Sequence, residues 1–208
     1  MAYIGNKPAN KAVVASDLDP AVITGQTALA VAPADTDEFL ISDAGTLKRI
    51  DASLVGGGGI TMADQFRLTS DASTGDLTSN LERVDGTNQG TLGTGMSESS
   101  GIFTFPSTGY YLVRFSAIQY KDGDRRDISI NIQTTANNSS YATIAECITH
   151  ITRSASLTTN IQGMTETLLD ITDTSNQKVK FNVFTDATTL GSTTINQTYM
   201  TFIRLGDT

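Results

Sequence analysis

Residues 101 to 120 read GIFTFPSTGYYLVRFSAIQY, and this stretch decides the fold. It predicts a short strand from Ile102 to Phe105, a turn from Pro106 to Gly109, and a long strand that begins at Tyr110. Proline presets the backbone angle of an early turn position, and glycine accepts the positive φ that closes a turn. The residues after the turn are mostly aromatic or β-branched, which favours a strand.

The long strand has apolar side chains on both of its faces. Because successive strand residues point to opposite sides, one face carries Tyr111, Val113, Phe115 and Ala117, and the other carries Tyr110, Leu112 and Ile118. One face can fill the core of its own domain. The other must meet a second sheet, a covering loop or another subunit, since an exposed apolar row is adhesive.

Composition excludes several classes of protein. At 208 residues with 38% hydrophobic content, the chain can form one core, or one core with a small appendage. A net charge of -8 opposes a nucleic-acid partner. We expect a soluble chain without membrane insertion or a secretory signal, because no window approaches the roughly 18 apolar residues of a span. Abundant Thr, Ser, Asn and Gly favour an all-β fold.

The first part of the chain, residues 1–55, is predicted to be an extended attachment segment. Its one clear element is a hairpin, with strands Phe39–Ser42 and Leu47–Asp51 around a turn at residues 43–46. An isolated two-stranded hairpin is only marginally stable, so the hairpin needs a partner surface. Four consecutive glycines, Gly56–Gly59, then predict a linker over residues 56–63.

The rest of the chain, residues 64–208, is predicted to be one β-sandwich. Eight to ten strands within about 145 residues are typical of that architecture. Long loops are predicted at Gly90–Ser100 and Thr185–Asn196, with a charged turn at Lys121–Arg126. The predicted strands are Gln65–Thr69, Leu81–Val84, Ile102–Phe105, the strand from Tyr110, Ile128–Gln133, Tyr141–Arg153, Thr158–Ile171, Lys178–Phe184 and Thr198–Leu205.

One run within the sandwich resembles a known family. The residues Gly101, Phe103, Thr104, Pro106, Gly109, Tyr111 and Phe115 match the pattern G-x-F-T-x-P-x-x-G-x-Y-x-x-x-F. This pattern is similar to the globular head of complement-type proteins, which share the ten-stranded jelly roll of tumour necrosis factor. The closing residues TYMTFIRL, at 198–205, look like that family's last strand.

The resemblance implies a ten-stranded jelly roll over residues 64–208, called the knob domain below. Family members form trimers whose inner sheets pack around a threefold axis. In a homotrimer of this kind the interface residues would be Tyr110, Leu112, Ile118, Tyr199 and Ile203. The alternative is that the second apolar face is covered by the domain's own loops.

The amino-terminal part carries a second resemblance. The segments MAYIGNKPA, residues 1–9, and DTDEFLISDAGTLKRIDASLV, residues 35–55, look like the amino-terminal segments of short bacteriophage structural proteins. The resemblance implies a location in the virion and contacts with other virion proteins of the tail or capsid through residues 1–55.

The sequence predicts no catalytic residue, metal or cofactor. Cys147 is the single cysteine and His150 the single histidine, and three residues apart on a strand they point to opposite faces. Three acids, Asp122, Asp124 and Asp127, resemble a calcium loop but lack its closing carboxylate. Family members sometimes bind calcium, so a weak site stays open beside the simpler interpretation of a solvated hairpin tip.

The sequence therefore predicts a structural protein and not an enzyme. In the first hypothesis it is a trimeric fibre or spike module, anchored by its amino terminus, whose knob binds a host-surface glycan or protein. Loops on a rigid sandwich commonly carry recognition, so the candidate receptor contacts are Lys121, Asp122, Asp124, Arg125 and Arg126. In the alternative it is a capsid decoration or head-fibre protein without a dedicated receptor.

Overall fold

The structure is a computed structural model of the chain, and it describes residues 19–31, 33–34, 36–55, 59–152, 159–184 and 186–208. It divides into two compact units, Met1–Gly57 and Gly58–Thr208. The connection between the predicted strands Tyr141–Arg153 and Thr158–Ile171 lies outside the described residues, as do three of the four predicted linker glycines.

The first unit contains the predicted hairpin. Strands β1 (Glu38–Asp43) and β2 (Thr46–Asp51) pair antiparallel and are followed by a 3-10 helix, Ala52–Leu54. The two turn residues, Ala44 and Gly45, have φ values of 48° and 83°, as a tight two-residue hairpin turn requires. The hairpin prediction is confirmed. The unit also has a helical turn, α1 (Ala21–Thr24), that the sequence pattern does not predict.

The second unit is built from strands joined by turns and loops. Its strands are β3 (Met62–Leu68), β4 (Gly75–Asp76), β5 (Leu81–Arg83), β6 (Ser97–Ser99), β7 (Ile102–Thr104), β8 (Gly109–Lys121), β9 (Arg125–Thr135), β10 (Ala142–Ile151), β11 (Thr159–Ile171), β12 (Lys178–Phe184), β13 (Thr188–Thr189) and β14 (Tyr199–Gly206).

These strands form two antiparallel sheets that pack as a sandwich. The front sheet has the order β11, β8, β14, β3, β5, with β13 beside β8. The back sheet has the order β10, β9, β12, β7, β6, with β4 beside β12. The five strands listed in order for each sheet make the predicted ten-stranded jelly-roll sandwich. The short strands β4 and β13 are additional and pair with β12 and β8.

Two predicted loops are partly strand. Residues 97–99, within the predicted loop Gly90–Ser100, form β6 and pair with β7. Residues 188–189, within the predicted loop Thr185–Asn196, form β13 and pair with Tyr120 and Gln119 of β8. The loop prediction is wrong at these positions. The polar residues of β6 pair with the adjacent β7 through a tight turn at Ser100 and Gly101, whereas β13 is set by its pairing with β8, far earlier in the chain.

The charged turn at residues 121–126 is also placed differently from the prediction. Because β8 belongs to the front sheet and β9 to the back sheet, residues 122–124 carry the chain from one sheet to the other. They are a crossover and not a hairpin tip. The turn at Pro106–Gly109 makes the opposite crossing, from β7 in the back sheet to β8 in the front sheet.

The core lies between the sheets and has Phe103 near its centre. The Phe103 ring meets the rings of Phe66, Phe202 and Phe181 at centroid distances of 5.0, 5.1 and 5.4 Å. Apolar side chains of β8, β9, β12 and β14 are buried; they are Tyr111, Val113, Phe115, Ala117, Ile128, Ile130, Ile132, Val179, Phe181, Val183, Met200 and Phe202.

The turn before β8 is held by contacts within the decisive stretch. The Tyr111 hydroxyl donates to the Ser107 carbonyl at 2.9 Å. Gly109 has φ of 140°, and a Cβ there would lie 2.5 Å from the Gly206 carbonyl oxygen. Glycine is therefore required where β8 starts beside β14.

A buried carboxylate, Asp64, holds the loop between β5 and β6. Asp64 accepts hydrogen bonds from the Arg83 guanidinium at 3.1 to 3.2 Å, from the Thr91 hydroxyl at 3.0 Å, and from the Met96 backbone N–H at 2.7 Å. Its side chain is fully buried. The sequence pattern does not predict this role, because the donors lie 19 to 32 residues away.

We expect Asp64→Ala to destabilise the protein by about 2–3 kcal/mol, because it leaves the buried Met96 N–H and its neighbours without an acceptor. Urea unfolding at neutral pH measures the change. Asp85→Ala, which removes an exposed carboxylate in the next turn, is the matched control and should change stability by less than about 0.5 kcal/mol. Equal losses in the two variants would contradict the anchoring role.

A second carboxylate, Asp76, ties β4 to β12 on the back sheet. It accepts hydrogen bonds from Lys180 Nζ at 2.6 Å and from Asn182 Nδ2 at 2.8 Å. Partial burial alone would raise the pKa of Asp76, but these two hydrogen bonds and the Lys180 charge together hold it below its ordinary value of 3.8.

Because the folded pKa of Asp76 is depressed, its stabilising effect is present above pH 3.8 and is lost as the pH falls through the folded value. Asp76→Asn should therefore lower the stability at pH 7, by less than about 1 kcal/mol for this partly exposed pair. Unfolding in urea at pH 7, 5 and 3 should show the two proteins converging at the lowest pH. A difference that grows on acidification would refute the assignment.

Candidate functional site

The solvent-facing side of the front sheet, called the front face, is the candidate site. Along β8 the burial alternates: Tyr111 and Val113 are fully buried, whereas Tyr110 is 45% exposed and Leu112 and Ile118 are partly exposed. The sequence assigned the same residues to the two faces of this strand. Tyr110, Leu112 and Ile118 therefore share one surface.

The neighbouring strands extend this surface on both sides. On β14, the predicted interface residues Tyr199 and Ile203 are partly exposed, and they alternate with the buried Met200 and Phe202. All five predicted interface residues thus lie on the front face. Their contact with another subunit stays a prediction.

Two further apolar residues of the front face come from β11. Met164 is 52% exposed and Leu168 is 65% exposed. Sequence reasoning predicted this strand but assigned no residue of it to a face. The usable signal is the spacing of two between Gln162, Met164, Glu166 and Leu168, which places them all on one side of the strand.

Strand register arranges the front face in rows. Leu112 lies directly opposite Leu168 on one side and Ile203 on the other, so one apolar row crosses three strands. Four positions further along β8, on the other side of a polar row, Ser116 lies between Met164 and Tyr199. Cross-strand neighbours of this kind are about 5 Å apart, so each row is a continuous contact surface.

The polar row between them is already paired within one chain. Arg114 Nε and Nη2 donate to Glu166 Oε2 at 2.9 and 2.7 Å. On the other side of Arg114, the Thr201 hydroxyl accepts from Gln65 Nε2 at 2.8 Å. A partner surface can therefore cover this row without leaving these charges unpaired, which is the condition for burying them at low cost.

The predicted receptor contacts lie at the end of β8 that is remote from Tyr110. Lys121 Nζ contacts the Asp186 carboxylate at 2.8 Å and donates to the Asp186 carbonyl at 3.2 Å. Asp122 and Asp124 are exposed in the crossover. Arg125 and Arg126 are the first two residues of β9, and the structure describes only their backbone. The five residues share one connection, and their role in recognition stays a prediction.

A groove of about 460 Å³ lies along the open edges of the two sheets and is lined in part by Phe66, Arg83 and Glu98. Its charged groups are used by the fold: Arg83 is bound to Asp64, and the Glu98 carboxylate accepts from the Gly101 N–H at 2.6 Å. Because these charged side chains are already paired within the chain, the groove is a weaker candidate for a binding site than the front face.

Cys147 and His150 lie in different environments. Cys147 is half-buried and packs against the core, whereas His150 is exposed. In the described ranges, no three or more His, Cys, Asp or Glu side chains are grouped so that they could hold a metal ion. None of the helices in those ranges is long and apolar enough to cross a membrane.

Comparisons with known proteins identify the fold. No family model matches the sequence, and no curated protein matches it. Among solved structures, the Eiger TNF of S. frugiperda superposes with a TM-score of 0.56 at 11% identity, covering 72% of this chain and 96% of that one. Murine APRIL at pH 5.0 superposes with a TM-score of 0.52 at 12% identity, covering 69% of this chain and 98% of that one. The chain contains a jelly roll of the tumour necrosis factor type.

Proposed function

We propose that the chain is a homotrimeric structural module of a bacteriophage virion, of the fibre or spike type. Its amino-terminal unit anchors it to other virion proteins, and its jelly roll projects as a knob that binds a host surface. The observation that carries the proposal is the front face, where apolar rows remain exposed on a domain whose core is already complete.

The front face supports self-assembly over the alternative of a covering loop. Within the described residues, the chain leaves Tyr110 and Leu168 exposed by 45% and 65%. Such apolar rows on three adjacent strands are what a partner surface buries. A closed ring of identical copies covers the same face on every subunit and leaves none adhesive.

The first unit supports the anchoring role. Phe39, Leu40 and Leu47 of the hairpin are 43%, 71% and 68% exposed, so the hairpin buries little of its own apolar surface. A segment of this kind gains stability by docking on a larger surface. Its resemblance to phage amino-terminal segments makes a tail or capsid protein the partner we propose for the anchoring unit.

Host binding is assigned to the connections at the end of β8. Three copies of a weak site act together when they reach one surface, so trimerisation raises avidity without new contacts. The candidates are the exposed acids Asp122 and Asp124 together with Arg125 and Arg126.

A capsid decoration or head-fibre role is the second candidate. The pairing of Lys121 with Asp186 favours it, because a cation held within the chain is less available to a receptor. The two functions differ in copy number and position: fibres occur in a few copies, whereas decorations repeat over the capsid lattice. Imaging particles that carry a tagged chain distinguishes them.

The assembly is tested by placing a charge on the front face. We expect Tyr110→Glu to convert trimers to monomers or aggregates in size-exclusion light scattering, because three buried carboxylates would meet an apolar surface. Ile148→Glu is the matched control: Ile148 is 62% exposed on β10 of the back sheet and should leave the trimer intact. A trimeric Tyr110→Glu protein would show that the front face is not the interface.

The anchoring role is tested by removing residues 1–55. We expect the shortened protein to remain folded and trimeric, since the second unit has its own core, but to be absent from assembled particles. Immunoblots of purified virions compare its incorporation with that of the full chain. If the shortened protein were incorporated into virions at the level of the full chain, the anchoring role of residues 1–55 would be refuted.

A further inference from the structure

We propose that the outer side of the back sheet binds an acidic saccharide, one that carries a carboxylate or sulfate group on a sugar ring. The site is a pocket of about 440 Å³, called the back pocket, which is within the size range of small-molecule sites. The residues that line it belong neither to the front face nor to the crossover after β8. The inference therefore goes beyond the proposed function and does not depend on the trimer.

Strand register builds the floor of the back pocket. Phe103 of β7 is buried in the core, so its neighbours Ile102 and Thr104 point to the outer side of the back sheet. Lys178 of β12 lies directly opposite Thr104 on one side, and Ser97 of β6 lies opposite it on the other. These three polar residues form a row across three strands and line the pocket together with the half-buried Ile102.

Two turns complete the lining of the back pocket. Ser99 is the last residue of β6, and Ser100 lies in the tight turn that leads to β7. Asn138 comes from the turn between β9 and β10. The Asn138 backbone N–H donates to the Asn176 carbonyl at 2.9 Å, which ties this turn to the one before β12. The pocket is therefore held in place by the fold on both sides.

The polar groups of the back pocket are mostly not used by the fold. Within the described residues, the side chains of Ser97, Ser99, Ser100, Thr104 and Asn138 make no hydrogen bond to another protein group. Hydroxyl and amide groups both donate and accept hydrogen bonds. This set can therefore pair with the hydroxyls and the ring oxygen of a sugar.

A buried cation indicates that the ligand is an anion. Lys178 is 8% exposed, and lysine is almost never buried to this extent without an acidic partner. In the part of the chain that the structure describes it forms no ion pair, and its Nζ donates to the Thr174 carbonyl at 2.6 Å. An ammonium group has three N–H donors, so two remain for a ligand. An anionic ligand would supply the charge that the fold does not provide.

Two acids near this cation are engaged in turns. The Asp173 carboxylate accepts from Asn176 Nδ2 at 2.7 Å and from the Ser175 N–H at 2.8 Å, and these hydrogen bonds, more than the Lys178 charge, hold the pKa of Asp173 below its ordinary value of 3.8. The Glu98 carboxylate lines the pocket and is bound to the turn after β6. Because a carboxylate has several acceptor sites, it can still accept from a sugar hydroxyl, but it would repel a ligand with many negative charges.

The back pocket fits a saccharide better than an inorganic anion or an acidic peptide. Its volume is in the range that accommodates an organic ligand, and Ile102 offers an apolar contact that an inorganic anion cannot use. A peptide that adds to a sheet edge gains its affinity from main-chain hydrogen bonds along a strand, and β6 has only 3 residues. One anionic group among several hydroxyls matches the single cation and the hydroxyl lining.

The test titrates the isotope-labelled full chain with galacturonate and with a galactose sulfate ester, and it follows the backbone amide signals of Ser99, Thr104 and Lys178 by NMR. Galactose is the neutral comparison, sodium sulfate is the inorganic one, and a short aspartate peptide represents acidic peptides. We expect saturable shifts with at least one acidic sugar and about tenfold weaker binding of galactose, because galactose lacks the charged hydrogen bond to Lys178.

Two variants separate the ligand site from the fold. Lys178→Met keeps an aliphatic stem without the ammonium and should weaken binding of the acidic sugar about tenfold. Ser99→Glu places a carboxylate in the pocket from an exposed position and should abolish that binding with little effect on urea unfolding. Lys180→Met is the matched control, since Lys180 follows two residues later on β12, pairs with Asp76 and does not line the pocket. It should bind the acidic sugar as the parent does.

Four results would overturn the inference. The absence of saturable shifts at millimolar acidic sugar would remove the site. Equal binding of galactose or sodium sulfate would show that the pocket does not select an acidic saccharide. Tighter binding of the aspartate peptide would assign the pocket to a protein partner. Parent-like binding by the folded Ser99→Glu protein would place the ligand elsewhere. The proposed function stands in all four cases, because its own tests are light scattering and incorporation into virions.

Discussion

The structure depends on one constraint: strand β8 is apolar on both sides, and its own domain can bury only one of them. Tyr111, Val113 and Phe115 complete the core, packed against the back sheet. Tyr110, Leu112 and Ile118 then have no place inside the sandwich. An outward apolar side on a central strand is a cost to an isolated chain, and it becomes stabilising only when another surface covers it.

The rest of the fold positions that outward side and keeps it in register. Gly109 and the Tyr111 hydrogen bond to Ser107 set where β8 begins, and pairing with β11 and β14 aligns the apolar rows. The Arg114–Glu166 pair satisfies its own charges. It lies between the apolar row of Leu112 and a second row in which Met164 and Tyr199 flank Ser116. The result is a surface in which apolar contact can form around a polar row that needs no new partner.

The features that could be predicted from the sequence are those set by side-chain alternation and turn residues within a short segment. The faces of β8 and β14, the β1–β2 hairpin and the strand Lys178–Phe184 follow from side-chain spacing and turn residues alone. The short strand β13, the crossing at residues 122–124 and the role of Asp64 depend on partners far away in the chain. Met164 and Leu168 carry a readable alternation, yet only the register with Ser116 and Leu112 shows that they extend the same surface.

A tumour necrosis factor-type jelly roll is a scaffold, and what it does depends on the surfaces built on it. In the proposed function those surfaces are the front face, the hairpin and the crossover after β8. The central claim, that the front face is covered by other copies, is tested most directly by sedimentation equilibrium of the unaltered chain at micromolar concentration. The account predicts a single species of three times the 22.1 kDa chain mass. A stable species of one chain mass would contradict it.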